Sequence, residues 1–244
     1  MERLDTFLPI TLAEMSAVAL LDRIDTKYLL TRAQLPGVLA ALQPAYRVLE
    51  VDGRRMSAYR TLYFDTPDFQ LYRLHQGGRR VRYKVRSRQY VGTPLAFFEV
   101  KQKRGPNCTS KRRLATPELV TEMTGQLAAF LHAQGALPAS ELEPKLWVDY
   151  TRITLVGRAT AERVTIDLDL RYSDDDGALA LPGLVIAELK SQGRPHASPL
   201  AHVMHQQLVR PAGFSKYCVG VSLLHPLLKH NRFSRILRRI DQYQ

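Results

Sequence analysis

The decapeptide VRYKVRSRQY, Val81 to Tyr90, constrains the fold more than any other stretch of the chain. In a strand, successive side chains point to opposite faces. Arg82, Lys84, Arg86, Arg88 and Tyr90 then share one face, and Val81, Tyr83, Val85, Ser87 and Gln89 share the other. Like charges side by side on one face of a sheet repel. A strand of this kind needs a fold that places its cationic face against anions.

The same alternation recurs along the chain. Arg23, Asp25 and Lys27 share a face in RIDTKYLL. Glu99, Lys101 and Lys103 do so in 95–103, and Lys111 and Arg113 in 110–115. Tyr150, Arg152 and Thr154 follow in 148–154. Arg163, Thr165, Asp167 and Asp169 oppose Val164, Ile166 and Leu168, while Ile186, Glu188 and Lys190 oppose Val185, Ala187 and Leu189. One such strand is ordinary for an antiparallel sheet wet on one side. The whole set is too basic for a mixed surface, and its few carboxylates stand among cations. The expected fold is α+β: an antiparallel closed β-barrel, a tunnel with a charged lumen, with helices packed outside and at the tunnel mouth. A basic lumen with a few carboxylates suits a polyphosphate and a divalent metal.

Composition agrees. The 244 residues carry 35 Lys+Arg against 23 Asp+Glu, a formal charge of +12, which favours polyanions. No G-x-x-x-x-G-K-[ST] or G-x-G-x-x-G phosphate loop occurs. Cys108 and Cys218 form no CxxC pair and read as free thiols of a reducing compartment. The seven histidines lack metal-ligand spacing, and His202 and His205 read as surface or core residues. No signal peptide is evident, nor any run near the ~20 apolar residues of a membrane span. The expected compartment is the cytoplasm.

Helices are expected around 12–21, over 32–42, from Asp65-Thr66-Pro67 to about His75, over 117–133 with Thr116 as N-cap, over 198–210, and from Phe214 onward. We read one domain over 1–244, with its core at about 20–225 and a basic C-terminal helix over 226–244.

Eight pieces in order then resemble one family: R-I-D-T-K-Y (23–28), K-V-R-S-R-Q-Y (84–90), F-E-V-K (98–101), the basic group 111–113, Y-T-R (150–152), R-V-T-I-D (163–167), A-E-L-K (187–190) and F-S-K-Y (214–217). They resemble the triphosphate tunnel metalloenzymes, and among them the VTC-type polyphosphate polymerase domain. The resemblance implies transfer of the γ-phosphate of ATP to a growing polyphosphate chain, with Mn²⁺ or Mg²⁺ as cofactor. It implies that Lys27, Arg86, Arg88, Lys101 and Arg152 grip the triphosphate or product. Tyr150 would bond a phosphate, Glu188 would ligate the metal, and Ser215 and Lys216 would stand at a tunnel mouth. Arg82, Lys84, Tyr90, Lys103, Lys111, Arg113, Arg163 and Lys190 are further candidate phosphate contacts. Glu99, Asp167 and Asp169 are further candidate metal ligands or bases. The family's first strand usually has Glu where this chain has Asp25; pairing of Asp25 with Arg23 or Lys27 is the competing role.

Three functions stay in competition. The first is the polymerase, the second an inorganic or nucleoside triphosphatase of the same fold. The third is a non-catalytic module binding polyphosphate, inositol phosphates or RNA. Sequence-specific nucleic-acid binding is not expected, because Tyr90 and Tyr150 are the only aromatics read on the charged faces, too few for a base-stacking platform. Any membrane association would come through a separate membrane-protein partner.

Overall fold

A computed structural model describes residues 2–17, 24–105, 108–135, 138–192 and 197–243. The helix expected over 12–21 is α1 (Leu12–Ala17); its expected end, Arg23 and part of the Arg104–Asn107 loop lie outside them. Eleven strands form one sheet: β1 Leu8–Ile10, β2 Ile24–Thr31, β3 Tyr46–Leu49, β4 Ser57–Asp65, β5 Val81–Tyr90, β6 Ala96–Arg104, β7 Thr109–Thr116, β8 Glu143–Gly157, β9 Glu162–Ser173, β10 Ala178–Leu181 and β11 Leu184–Ser191. The main path runs β2-β11-β9-β8-β4-β5-β6-β7. All its pairs are antiparallel; β1 joins β3 in parallel off the path.

The expected closed barrel is corrected in one respect. Among the described residues no backbone pairing joins β2 to β7, so hydrogen bonds do not close the sheet. The sheet is nevertheless strongly curved. Lys101 on β6 feels the charges of Lys27 and Asp25 on β2 and Glu188 on β11, near the other end of the path.

Helices cover the convex face. Helices α2 (Leu35–Leu42) and α5 (Pro199–Gln206) bury Val38, Leu42, Leu200 and Met204 against Leu30, Ile153, Leu155, Val164, Ile166 and Val185. Helix α4 (Gly125–Ala133) packs Leu127 and Leu131 on Leu62, Val85, Phe98 and Val100. It is shorter than the expected 117–133. Residues 117–124 run without helix, anchored where the Val120 N–H donates to Ser87 Oγ at 2.7 Å, and the chain enters α4 at Thr124.

One end of the concave face is sealed. Helix α6 (Lys216–Leu224) buries Tyr217, Cys218 and Val221 against Leu29, Leu146, Val148, Leu170, Tyr172 and Ile186. At Gly220 the approach is so close that a Cβ would stand 2.5 Å from Tyr172 Cδ1 and 2.7 Å from Leu146 Cδ2. Helix α3 (Gln70–Gln76) is tied to α6 through Asp65, whose buried carboxylate accepts from the N–H groups of Thr66, Leu71 and Tyr72 and from the Tyr217 hydroxyl. Beyond Pro226 the chain forms a 3₁₀ turn at Asn231–Phe233, helix α7 (Ser234–Ile240) and a 3₁₀ turn at Asp241–Tyr243. Ile236 and Ile240 are buried in the same cluster as α6. No helix among the described residues is long and apolar enough to cross a membrane.

Candidate functional site

The rest of the concave face is charged, and register fixes which side chains meet there. Across β5, β6 and β7, Lys84 stands beside Lys101 and Lys111, and Arg86 beside Glu99 and Arg113. Across β2, β11 and β9, Lys27 stands beside Glu188 and Thr165, and Asp25 beside Lys190 and Arg163. Arg152 on β8 faces Asp167 on β9.

Three carboxylates on this face are each gripped by two cations. Asp167 binds Arg152 through two hydrogen bonds of 2.6 and 2.9 Å and also takes one from Lys216 Nζ. Burial disfavours its charge, but Arg152 and Lys216 overcome this and hold the carboxyl well below its ordinary range. Glu99 binds Arg86 at 2.6 Å and Lys111; against the effect of burial, Arg86, Arg88 and Lys111 draw its pKa down to about 2. Glu188 binds Lys27 at 3.3 Å and Lys190 at 2.5 Å, and those lysines likewise offset burial and lower its pKa. Glu188 is the most open of the three, 17% exposed against 5% for Glu99 and 3% for Asp167.

Cations remain in excess. Among the described residues Lys101 and Lys103 have no carboxylate partner, and Arg88 bonds only Thr61 Oγ1, at 3.2 Å, while lying over the rings of Tyr59 and Tyr150. Lys84 donates to Ser215 Oγ at 2.6 Å, and the same oxygen caps α6 by accepting from the Cys218 N–H. The field is visible in its effects. Burial would raise the Tyr63 phenol, yet Arg86, Arg88 and Lys84 bring it below its ordinary value. Burial, then Lys84, Arg82 and Lys101, push His75 down to about 3. Burial and Arg86 push Lys111 to about 8 although Glu99 opposes them; burial and Arg152 do the same to Lys190 against Glu188. The buried atoms Arg82 Nε, Tyr150 Oη and Thr165 Oγ1 lack hydrogen-bond partners among the described residues. Buried polar atoms are normally satisfied, so these three are available to hydrogen-bond a polar ligand on this face.

Most residues singled out from the sequence therefore stand on one face. Asp169 does not. The register of β8 and β9 shifts there: Thr151 faces Leu168 but Asp149 faces Arg171, so β9 carries one extra residue. Asp169 takes φ 53°, the left-handed conformation of a bulge. Its carboxylate points to solvent and pairs with Arg32 at 3.1 Å, which removes it from the face of Asp167. The aromatic count is also corrected. Tyr59, Tyr63 and Phe97 line the face beside Tyr90 and Tyr150, with Tyr59 stacked 5.1 Å from Tyr150 and tilted against Tyr90 at 4.7 Å. The alternation in SAYRTLYF contains this signal, but without charge it does not mark the face. Tyr59 and Tyr150 are buried under Arg88 and Arg152, which leaves their faces no room for bases.

A divalent ion fits this face on a limited donor set. Mg²⁺ is commonly held by one or two carboxylates together with substrate phosphates, and Glu188 is ionised, open and flanked by lysines able to turn toward phosphate. Among the described residues, the one cluster of three metal-type ligands lies elsewhere, at Asp174, Asp176 and His225. There the imidazole sits between the carboxylates, Nε2 2.9 Å from Asp174 and Nδ1 3.9 Å from Asp176.

The model of the VTC domain matches residues 22–225. The chain belongs to the VTC domain family. The match spans every strand of the main path of this VTC domain. No curated protein matches it significantly. Among solved structures, it is similar to a Bacillus halodurans protein provisionally assigned as an adenylate cyclase. Identity is 14%, coverage is 80% of this chain and 96% of that one, and the TM-score is 0.52. It is also similar to a Hippeastrum protein, provisionally assigned as an adenylyl cyclase and described as having dominant triphosphatase activity. Identity is 12%, coverage 82% and 94%, and the TM-score 0.53. At such identities the likeness is one of fold.

Proposed function

We propose that this VTC domain is a divalent-metal-dependent polyphosphate polymerase that moves the γ-phosphate of ATP onto an inorganic polyphosphate chain held along the concave face. The observation that carries the reading is the charge inventory there: each carboxylate is already engaged, while cations and buried hydroxyls remain unpaired.

Phosphoryl transfer requires positioning and charge stabilisation more than covalent help from the protein. Arg88, Lys101 and Lys27 bind the phosphate oxygens, and the Tyr150 hydroxyl donates to one of them. Asp167 and Glu99 orient Arg152 and Arg86, so that the guanidinium groups meet developing charge without reorganising. The bond from the γ-phosphorus to its bridging oxygen breaks, a terminal phosphate oxygen of the acceptor forms the new bond, and ADP leaves. That acceptor is already ionised at neutral pH, so no general base is needed. When bound through Glu188, Mn²⁺ or Mg²⁺ would neutralise charge on the phosphate oxygens.

The test is to incubate the protein with ATP, Mn²⁺ or Mg²⁺ and a short polyphosphate primer, resolving chains on a gel while measuring ADP and free phosphate. Chains with stoichiometric ADP are expected. Free phosphate without chains moves the assignment to a triphosphatase. Neither product, with tight polyphosphate binding, moves it to a binding module.

A further inference from the structure

Outside the charged face, a cleft of about 470 Å³ opens between the 208–213 loop and the C-terminal segment. Arg210, Arg232, Arg235 and Arg239 line it, and no carboxylate does among the described residues. Arg210, Arg232 and Arg235 are exposed and form no ion pair with any described residue. Residues 232, 235 and 239 are spaced by three and four, so they share one side of the C-terminal segment. Unpaired guanidinium groups facing one cleft repel unless an anion joins them, and Arg is suited to bidentate contact with phosphate.

The cleft adjoins the charged face at two places. Gly213 lines it and lies two residues before Ser215, whose hydroxyl holds Lys84. On the other side, the Arg232 guanidinium occupies the space that a side chain at Gly78 would need, and Gly78 leads into β5 and its first inward cation, Arg82. Arginines outside thus follow directly on cations inside.

We propose that this arginine cleft is a second binding site, for the part of a linear polyphosphate that extends past Ser215. The inference rests on the function proposed above, because the ligand is taken to be the same chain. The cleft adds affinity that grows with chain length. Short phosphates, held wholly on the concave face, do not reach it.

The experiment measures binding of tripolyphosphate, a long linear polyphosphate and inositol hexakisphosphate to the full chain by calorimetry over a range of salt. It compares the wild type with Arg232→Ser/Arg235→Ser. The double variant is expected to lose roughly ten- to thirty-fold affinity for the long chain. Its salt dependence should become shallower as phosphate contacts are lost, while tripolyphosphate affinity stays unchanged. Arg210→Ser/Arg235→Ser, on a different pair of elements, should give the same selective loss and serves if the first variant does not fold. Unchanged long-chain affinity overturns the cleft. So does an equal loss for both linear ligands, or a loss confined to inositol hexakisphosphate, which would mark a site for a compact ligand. A wild type that fails to bind tripolyphosphate instead overturns the function proposed for the concave face.

Discussion

The concave face has two ends built from the same strands, and they differ sharply. On β11, Ile186 is 1% exposed beneath α6, while Glu188, two residues along the same face, meets Lys27 and Lys190. On β2, Leu29 and Lys27 divide the face in the same way, as do Val148 and Arg152 on β8. Where a helix arrives the face is apolar and sealed; where none arrives it is cationic and open to ligand. Burial at the sealed end goes into stability, whereas the charged end keeps cations unpaired among the described residues.

Substitutions can break or sharpen this contrast. The largest effect is expected for Asp167→Ala, which strands Arg152 and Lys216 at the inner limit of the charged end. Removing one partner of a buried ion pair costs about 3–5 kcal/mol, measurable by urea denaturation. A loss below about 1 kcal/mol would mean that solvent already screens this end. Next is Glu188→Gln, expected to reduce turnover by roughly 10²–10³-fold, the scale of losing one charge-stabilising group, with tripolyphosphate binding nearly intact and a smaller stability loss than Asp167→Ala, because Glu188 is the least buried of the three carboxylates. Equal loss of binding and turnover would deny it a role specific to the reaction. At the sealed end the pattern should invert. Gly220→Ala, which forces a Cβ into Tyr172 and Leu146, should cost about 1–3 kcal/mol of stability and leave tripolyphosphate affinity unchanged once the protein is folded.

A pH series gives a smaller signal of opposite sign in two measurements. As pH rises through about 8, Lys111 and Lys190 lose their protons, so tripolyphosphate binding should weaken. In the unfolded chain these lysines keep their protons up to about pH 10.4. Between these values the unfolded state binds more protons, so their contribution to stability rises with pH. Binding that strengthens through this window would deny these lysines a role. Smallest is Tyr172→Phe. The Tyr172 hydroxyl is buried without a partner among the described residues, so its removal should be neutral or stabilise by up to about 1 kcal/mol in thermal denaturation.

Much of the face was legible in the sequence because period-two alternation is local. Lys27, Glu99, Lys101, Arg152, Asp167, Glu188 and Lys190 each could be assigned a side from its own strand. Three things were not legible. The extra residue at Asp169 reverses the alternation, and nothing in DLDL signals it. The failure of β2 and β7 to pair depends on curvature accumulated over eight strands. The contact of α6 with Asp65 joins residues 152 positions apart through Tyr217, and a buried carboxylate that fixes two helices reads, in sequence, like any helix start. Charge marks only part of the face: it picks out the cations, whereas Tyr59 and Tyr63 share that face without a charge to signal it.

The reversal at Asp169 has a consequence for how such a chain can vary. In its twelve residues β9 holds two short messages read in opposite phase, one writing Thr165 and Asp167 into the charged face, the other writing Leu170 and Tyr172 into the seal. One residue of left-handed backbone keeps them in step. Either message can be rewritten without touching the other, but deleting that single residue would turn every later side chain of the strand inside out.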